Sequence, residues 1–336
     1  MKAYEIPAFG IDQLRLVERE KPAAGPGQVL VRMTAASLNF RDLMVVRGHY
    51  NPKMKLPIAP LSDGVGIVEA IGEGVDRFAP GDRVAGIFMQ DWIDGRVDKK
   101  KAASALGGAI PGILREYMVF NQSGLVKPPA HLSDVEAAAL PCAAVTAWHA
   151  LFEEASSHPG DTVLLQGTGG VSLFALQFAK AAGFRVIITS SSDEKLQRAR
   201  QLGADETINY KDTPDWEEAA RRLTNGEGVD QVIEVGGGDT LPRSLRAVRM
   251  AGTVSVIGVL SGNAQALAPA GVLMNSLRVQ GIYVGSRAMF ERMNKAIEAN
   301  SIKPVLDRVF PWTEAKNAYE YLERQGHFGK ICLAIT

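Results

Sequence analysis

The sequence predicts an α/β protein in which a doubly wound parallel sheet is joined to a second, β-rich domain. Short runs rich in β-branched residues recur between positions 163 and 284, and a segment with helical spacing lies between the first two. Before position 125 and after position 299, short segments bounded by turn signals predominate instead. A length of 336 residues is enough for about two domains.

The composition is that of a globular protein and limits the possible partners. Hydrophobic residues make up 46% of the chain, and 37 basic residues balance 37 acidic ones. This neutrality argues against general binding to nucleic acid, which needs a basic excess. The N-terminus lacks the apolar core of a signal peptide, and no stretch predicts a membrane span. Two cysteines, Cys142 and Cys332, fit a reducing compartment, so we expect a cytoplasmic protein that acts on a small molecule.

The β-rich part begins with two short strands. Val29–Met33 and Gly66–Ile71 are strand-like runs, and turn signals stand at Gly25–Gly27 and Ala79–Asp82. The basic run Lys99–Lys101 predicts a solvated loop.

Five buried strands are predicted in the second part of the chain. Each is short and β-branched, which is typical of parallel strands covered on both faces. Val171–Ala182 has apolar residues at helical spacing and is apolar on its other side too, which predicts a helix packed on the sheet. A last strand, Lys330–Ile335, is expected to rejoin the first domain and make it discontinuous. The five strands are Val163–Gln166, Val186–Thr189, Val232–Val235, Val254–Ile257 and Ile282–Val284.

A glycine-rich turn lies directly between the first of these strands and the helix. The first glycine permits the tight turn, the second lets the backbone approach a pyrophosphate, and the helix N-terminus offers N–H groups to that anion. The alternative is a purely structural turn, but the strand–turn–helix context favours nucleotide binding. The turn consists of Gly167, Thr168, Gly169, Gly170 and Val171, with Ser172 where a third glycine is common.

The end of the second strand predicts which nucleotide is bound. NAD-specific sites place an acidic residue there to hold the ribose 2′-hydroxyl. Here the strand ends in Ser190, Ser191 and Ser192, and the first acid lies inside the next helix, together with Lys195. These hydroxyls and the lysine suit a 2′-phosphate, whereas the alternative is a plain helix start with Ser191 and Glu194 as a capping box. We expect NADPH, with NADH less favoured.

Further cofactor contacts are expected where other strands end, because ligands of doubly wound sheets lie at the carboxyl ends of the strands. The glycines at these ends have a second explanation, which is that they only terminate the strands. The expected contacts are Val235, Gly236, Ile257, Gly258, Val259, Tyr283 and Val284.

Five blocks of the sequence stand in a characteristic order. They are Asn39-Phe40-Arg41-Asp42 with Gly48-His49-Tyr50, Gly64–Val68, Pro80–Val84, Pro141–Trp148 and Gly329-Lys330-Ile331. In this order they resemble the medium-chain dehydrogenase/reductase superfamily over essentially the full length. The nearest resemblance is to its zinc-free branch, which includes the zeta-crystallin-type quinone oxidoreductases.

The resemblance implies the domain organisation. It implies a GroES-like catalytic domain of residues 1–127 and 301–336, and a Rossmann dinucleotide-binding domain of residues 128–300. It also implies a homodimer formed by the Rossmann edges near Val279–Val284.

Three further cofactor contacts are implied by the resemblance alone. Thr146 would contact the cofactor near its nicotinamide end, Tyr210 would lie against the adenosine, and Lys330 would reach the cofactor from the tail.

The resemblance also bears on zinc. Zinc dehydrogenases of this superfamily hold the metal at positions that align with Asn39, Ser62 and Cys142. Only Cys142 is a good zinc ligand, and a catalytic site needs three protein ligands. The four cysteines of the structural zinc lobe are missing, and the segment Gln90–Leu114 stands in their place. We therefore expect no zinc.

Without a metal, reduction needs an acceptor that is already electrophilic, such as a quinone or an α,β-unsaturated carbonyl. We expect Asn39 to hydrogen-bond a substrate carbonyl or the nicotinamide ribose, unless it only satisfies the loop backbone. Tyr50 is expected either to donate to an oxyanion or to pack. Arg41 and Asp42 are candidates that pair with each other or order the loop, and Arg41 suits a negatively charged substrate.

Two other functions stay open at this point. One is alcohol–aldehyde interconversion without zinc. The other is an NADPH-binding regulatory protein with little turnover.

Overall fold

The chain forms two compact units in a computed structural model that describes residues 1–155, 157–260, 262 and 269–335. Unit 1 comprises Met1–Val145 and Val284–Thr336, and unit 2 comprises Thr146–Tyr283. Unit 1 is therefore discontinuous in sequence. Residues 128–145 and 284–300 pack with unit 1, whereas the resemblance implies that they belong to the Rossmann domain.

Residues up to 148 contain seven strands and four short α-helices, and the two predicted strands are confirmed within β3 and β4. The basic run Lys99–Lys101 forms a short helix rather than the predicted loop, because the Asp98 carboxylate accepts a hydrogen bond from Lys101 N at 2.9 Å and caps it. π-helical turns at Leu140–Ala144 and His149–Glu153 flank α4. The elements are β1 (Lys2–Glu5), β2 (Arg15–Glu18), β3 (Gln28–Leu38), α1 (Phe40–Val46), β4 (Asp63–Ile71), β5 (Arg83–Gly86), α2 (Lys99–Ala102), β6 (Tyr117–Asn121), β7 (Leu125–Val126), α3 (Asp134–Ala138) and α4 (Val145–Trp148).

Unit 2 contains the predicted doubly wound sheet. Its six parallel strands follow the order β10-β9-β8-β11-β12-β13, so the chain leaves β8 in one direction and returns to its other side at β11. Helix α5 buries both of its apolar sides, as predicted. The elements are β8 (Thr162–Gln166), α5 (Gly170–Ala181), β9 (Arg185–Ser190), α6 (Asp193–Gln201), β10 (Glu206–Asn209), α7 (Trp216–Leu223), β11 (Val229–Glu234), α8 (Leu241–Ala247), β12 (Val248–Val256), α9 (Pro269–Met274) and β13 (Arg278–Gly281).

The last predicted strand of unit 2 is wrong by three to four residues. The prediction was Ile282–Val284, but the strand is β13, Arg278–Gly281. Gly281 lies opposite Val256, where the partner strand β12 ends, and Ile282 N makes the last hydrogen bond of the ladder, to the Val256 carbonyl oxygen at 2.9 Å. Val284 instead adopts a φ of 56°.

The chain returns to unit 1 through α10 (Arg287–Ala299), β14 (Leu306–Pro311), α11 (Ala315–Glu323) and β15 (Lys330–Ala334). Strand β15 pairs antiparallel with β3, which confirms the predicted terminal strand. The resulting sheet has the order β14-β15-β3-β4-β5-β7, and β6 also pairs with β3.

The pairing of β3 fixes which residues meet at one edge of this sheet. Ser37 in β3 lies opposite Asp63 in β4, and Leu38 lies opposite Ile331 in β15. The first residues of β4 and β15 therefore meet the end of β3, where α1 begins. Among the described residues, no helix has the length and apolar character that crossing a bilayer requires.

Candidate active site

Four polar side chains meet at this edge of unit 1, and we call them the polar cluster: Asn39, Asp42, Asp63 and Lys330. Asp42, Asp63 and Lys330 are 1%, 0% and 3% exposed, and Asn39 is half-buried. Three of the four were singled out in the sequence, but Asp63 was not. A buried carboxylate at the start of a strand has no sequence signal of its own, because its partners come from distant segments.

Lys330 and Asn39 make the most direct contact in the polar cluster. The Lys330 ammonium donates to Asn39 Oδ1 at 2.6 Å and to the Leu38 carbonyl oxygen at 2.7 Å. Asn39 Nδ2 is fully buried and makes no hydrogen bond of normal geometry among the described residues. The Asp63 carboxylate nevertheless lies close enough for the Asn39 side chain to lower the pKa of Asp63. The amide is therefore held at its oxygen by Lys330, Asp63 faces its NH₂ group, and one of the two N–H groups is left for another acceptor.

The Asp63 carboxylate accepts hydrogen bonds from donors in three parts of unit 1. It accepts from Ser62 Oγ at 2.7 Å, from Cys142 N at 3.1 Å and from Ser37 Oγ at 3.5 Å. Cys142 lies in the π-helical turn 140–144, where the regular helical pattern is interrupted and its N–H is used outside the helix. Burial raises the pKa of Asp63, and the Lys330 ammonium, 4.0 Å away, opposes this shift.

Asp42 is the second buried carboxylate. It accepts from Asn39 N at 2.9 Å, which caps α1, and from the Arg41 guanidinium at 3.3 Å. Burial raises the pKa of Asp42 to about 6, while Arg41 lowers it and Asp63 raises it further. The predicted pairing of Arg41 with Asp42 is confirmed.

Arg41 also ties α1 to the segment 90–114. Its guanidinium donates to the Leu106 carbonyl oxygen at 2.7 Å and lies 4.9 Å from the Tyr50 ring and 5.0 Å from the Phe88 ring. A Cβ at Gly108 would come within 2.3 Å of Nη2, so glycine leaves room for this side chain. Arg41 and Tyr50 thus order loops around the polar cluster, and their catalytic roles stay predictions. His49 is exposed.

The three positions that align with zinc ligands do not fit a metal. Asn39 Oδ1 accepts from an ammonium group, and the Ser62 hydroxyl donates to Asp63. Burial raises the pKa of the Cys142 thiol strongly, so it stays protonated at neutral pH. No group of three His, Cys, Asp or Glu residues suitable for a metal occurs in the described ranges. We derive no step through zinc.

In unit 2, the glycine turn has the predicted geometry. Gly167 has a φ of 68°, which favours glycine, and Gly169 caps α5. A Cβ at Gly169 would meet no protein atom within 4 Å, so packing does not explain this glycine. Ser172 Oγ donates to the Gln166 carbonyl oxygen at 2.6 Å, which explains why serine serves in place of a third glycine.

A buried network that the sequence analysis missed fixes the turn. Gln166 Nε2 donates to Glu234 at 2.7 Å, and Gln166 Oε1 accepts from the N–H groups of Val235 and Gly236, each at 3.2 Å. Glu234 Oε1 in turn accepts from the N–H groups of Gly236 and Gly237 and from Thr240 Oγ1, at 2.6–2.9 Å. The Ser244 hydroxyl donates to the other oxygen of Glu234. This network joins the ends of β8 and β11.

The serine that caps the helix after β9 is not the one that the sequence indicated. The cap of α6 is Ser192, whose Oγ accepts from Lys195 N at 3.4 Å, and not Ser191. The capping box at Ser191, which the sequence offered as the alternative to phosphate binding, is wrong by one residue because β9 continues through Ser190. The Asp193 carboxylate accepts from Asn209 Nδ2 at 2.8 Å, so the first acid after β9 is engaged within the unit.

Most of the other predicted cofactor residues lie at the carboxyl edge of the parallel sheet, and the rest lie elsewhere in the chain. A Cβ at Gly258 would come within 2.4 Å of the Val235 carbonyl oxygen, so close packing of strand ends accounts for this glycine. Thr146 lies in α4, and Val284 and Lys330 belong to unit 1. At the carboxyl edge of the parallel sheet lie Gly167 to Val171, Ser190 to Ser192, Tyr210, Val235, Gly236, Ile257, Gly258, Val259 and Tyr283.

Comparison with known proteins extends over the whole chain. The alcohol dehydrogenase GroES-like domain matches residues 25–130, and the zinc-binding dehydrogenase family matches residues 170–299. A zinc-type alcohol dehydrogenase-like protein of Schizosaccharomyces pombe is 47% identical over 97% of this chain and 96% of its own length. Acryloyl-coenzyme A reductase of Metallosphaera sedula is 29% identical over 96% of both chains. Quinone oxidoreductase of Rattus norvegicus is 29% identical over 100% of this chain and 98% of its own.

Solved structures agree with this assignment. A Sinorhizobium meliloti protein described as an alcohol dehydrogenase superposes with a TM-score of 0.92 at 42% identity, covering 99% of this chain and 98% of that chain. An NAD-dependent alcohol dehydrogenase gives a TM-score of 0.92 at 36% identity over 100% of both chains. A mycobacterial protein complexed with NADPH gives 0.84 at 27% identity, also over 100% of both. The chain therefore belongs to the medium-chain dehydrogenase/reductase superfamily of oxidoreductases.

Proposed function

We propose that the protein is an NADPH-dependent oxidoreductase that transfers hydride, without zinc, to a quinone, an enone or another activated carbonyl compound. The observation that carries this proposal is the chemistry of the polar cluster. At the positions aligned with zinc ligands, Asn39 and Ser62 are committed to hydrogen bonds with Lys330 and Asp63, and Cys142 holds a protonated thiol. Such a site favours acceptors that need no Lewis acid.

Unit 2 supplies the groups for the cofactor. The free N–H groups at the start of α5 suit the pyrophosphate, and the open space over Gly169 permits its approach. NADPH is favoured because the first acid after β9 is bound to Asn209, whereas Ser191 and Lys195 suit a 2′-phosphate. The NADPH complex of the mycobacterial protein supports this choice, and the NAD-dependent alcohol dehydrogenase supports the alternative.

Unit 1 supplies the groups for the acceptor. The Asn39 amide has two buried N–H donors, of which at most one faces the Asp63 carboxylate, and the other suits the oxygen of an enone or a quinone. Nicotinamide provides the hydride when the cofactor is bound. Relatives named acryloyl-coenzyme A reductase and quinone oxidoreductase support both of these acceptor classes.

The first experiment is steady-state NADPH oxidation by metal-stripped protein with quinones, enones and saturated aldehydes. We expect turnover of quinones or enones after chelation, at a rate that added zinc does not raise. The matched arm replaces NADPH by NADH and is expected to give a lower kcat/KM. Turnover that depends on added zinc would overturn the zinc-free site, and turnover of saturated aldehydes alone would overturn the acceptor class.

Alcohol–aldehyde interconversion is the second candidate. The Schizosaccharomyces pombe relative, named as zinc-type alcohol dehydrogenase-like, favours it. The same panel decides between the two, because an aldehyde reductase would prefer saturated aldehydes to quinones.

We also propose that the protein is a homodimer. Strand β13 is the edge of the parallel sheet, and Val279 on it is 37% exposed. Unit 2 also exposes Met250, Leu273 and Met274 by 65%, 76% and 73%. An unpaired strand with exposed apolar side chains is a pairing surface, and a second copy would extend the sheet. Light scattering on the wild type and on Val279→Lys tests this. We expect a dimeric wild type and a weakened dimer in the variant, and a monomeric wild type would overturn the proposal.

A further inference from the structure

The orientation of the Asn39 amide follows from its neighbour. An asparagine side chain has one accepting end and one donating end, and the hydrogen-bond network decides which end points where. The Lys330 ammonium has donors only, and it lies 2.6 Å from the Asn39 side chain. The end that faces it is therefore the oxygen, and the NH₂ group points to the opposite side.

The fold holds Lys330 rigidly at this point. It is the first residue of β15 and is 3% exposed. Its ammonium also donates to the Leu38 carbonyl oxygen at 2.7 Å and lies 4.0 Å from the Asp63 carboxylate. Because the Leu38 carbonyl and the Asp63 carboxylate, from two different segments, fix the ammonium, Lys330 can in turn fix the amide. The backbone N of Asn39 is held as well, by the Asp42 carboxylate at 2.9 Å.

The donating end of the amide is only partly used in the described part of the chain. Asn39 Nδ2 is buried and makes no hydrogen bond of normal geometry there, although the Asn39 side chain is close enough to the Asp63 carboxylate to lower its pKa. Because an NH₂ group has two N–H donors, one of them stays available even when the other faces Asp63. A buried donor without an acceptor is unfavourable, so a site that keeps one in a fixed orientation is prepared for an oxygen that arrives with a ligand. Without Lys330, the oxygen end of the amide would lose the donor that holds it, and the NH₂ group would lose its fixed direction.

We propose that Lys330 is a positioning residue that orients the Asn39 amide, so that its NH₂ group donates to the oxygen of the bound acceptor. This inference rests on the proposed function, and it gives Lys330 a role different from the cofactor contact expected from the sequence. In this role the effect of Lys330 on the reaction passes through Asn39, and direct contact of Lys330 with the acceptor or the cofactor is not required.

A double-mutant cycle tests this dependence. The variants are Lys330→Met, Asn39→Ala and the double variant, assayed for kcat and KM with the best quinone or enone and for NADPH affinity by fluorescence. We expect each single variant to lower kcat/KM for the acceptor at least tenfold, a fall typical of a lost oriented donor. Added to Asn39→Ala, Lys330→Met should lower it less than about twofold further, because its partner is already gone. NADPH affinity should be unchanged throughout.

Two controls keep the cycle interpretable. Lys330→Met leaves the buried Asp63 without its ammonium, so Lys330→Met/Asp63→Asn restores the charge balance if the single variant folds poorly. Lys316→Met removes an exposed lysine of unit 1 that donates to the Asp12 carbonyl oxygen, and it should leave kcat and KM unchanged.

The outcomes separate this inference from the proposed function. Effects that multiply in the double variant would show that Lys330 does not act through Asn39, and a selective loss of NADPH affinity in Lys330→Met would return it to the cofactor. Either result overturns the inference while the function stands. A wild type that turns over none of the acceptors overturns both.

Discussion

The two units bury polar groups in opposite ways. In unit 2, Glu234 is fully buried, and five donors surround its carboxylate. In unit 1, Asp42, Asp63 and Lys330 are equally buried, but Asn39 is half-buried, and its Nδ2 atom makes no hydrogen bond of normal geometry among the described residues. A satisfied network builds a rigid scaffold, whereas a donor left unpaired is of use only to a ligand. This difference indicates that unit 2 fixes the position of backbone groups, whereas unit 1 presents side-chain donors to a ligand.

The largest expected effect is on the satisfied network. Glu234→Ala would leave the N–H groups of Gly236 and Gly237 and the Gln166 amide without their acceptor, and would separate the ends of β8 and β11. We expect the free energy of unfolding to fall by about 4 kcal/mol. Urea unfolding measures it. Glu227→Ala, an exposed residue just before β11, is the control and should change stability by less than about 0.5 kcal/mol. If Glu234→Ala and Glu227→Ala lowered the free energy of unfolding equally, the buried network of unit 2 would not be the rigid scaffold that the comparison of the two units assumes.

The next effect concerns the charge of the polar cluster. Burial raises the pKa of Asp42 from 3.8 to about 6. The folded state thus binds this proton more tightly than the unfolded chain, so ionised Asp42 destabilises the fold and stability rises as pH falls from about 7 to about 4. At 1.36 kcal/mol per pH unit, this contribution is about 3 kcal/mol.

Asp42→Asn isolates that contribution. The asparagine oxygen can still accept from Asn39 N, but it does not titrate. We therefore expect the variant to show a smaller rise in the free energy of unfolding than the wild type between about pH 7 and pH 5. Urea titrations at several pH values compare the two slopes. Parallel slopes would mean that Asp42 is ionised in the folded protein throughout this range.

The third effect is on catalysis. Asn39→Asp keeps an oxygen for Lys330 but replaces the donating NH₂ by a second carboxylate oxygen. We expect kcat/KM for the acceptor to fall about a hundredfold, about 2.7 kcal/mol. The ion pair with Lys330 supports the fold, but repulsion from the nearby Asp63 carboxylate opposes it, so stability is expected to fall as well. Kinetics and thermal unfolding are measured together. A variant with full activity would show that the unpaired donor of unit 1 is not used.

The fold was predictable where its signals are local. The first four β-branched runs of the second part, the helix after the glycine turn and the terminal strand each depend on residues near one another in sequence, and the structure confirms them. Strand β13 was misplaced because its end depends on where β12 ends. Strand β10 was missed because Glu206–Asn209 has only four residues, of which two, Thr207 and Ile208, are β-branched.

The site was predictable only in part, for the same reason. The glycine turn and Asn39 belong to short motifs, so the sequence indicates them. Gln166 and Glu234 are 68 positions apart, and Asn39 and Lys330 are 291 positions apart. The pairing of strands brings each pair together, and no pattern within a single segment encodes these contacts.

The smallest expected effect concerns two neighbouring serines after β9, Ser191 and Ser192, of which one stabilises the fold and the other is expected to bind the cofactor. Ser192 Oγ caps α6, so Ser192→Ala should lower the free energy of unfolding by about 0.5–1 kcal/mol. Ser191 is not the cap, so Ser191→Ala should change stability by less than about 0.5 kcal/mol but raise KM for NADPH, if its hydroxyl binds the 2′-phosphate. Thermal unfolding and KM values for NADPH and NADH are measured for both variants. If Ser191→Ala changes neither quantity, this serine has no part in the choice of cofactor, and the preference for NADPH must depend on Lys195 or on the helix N-terminus alone.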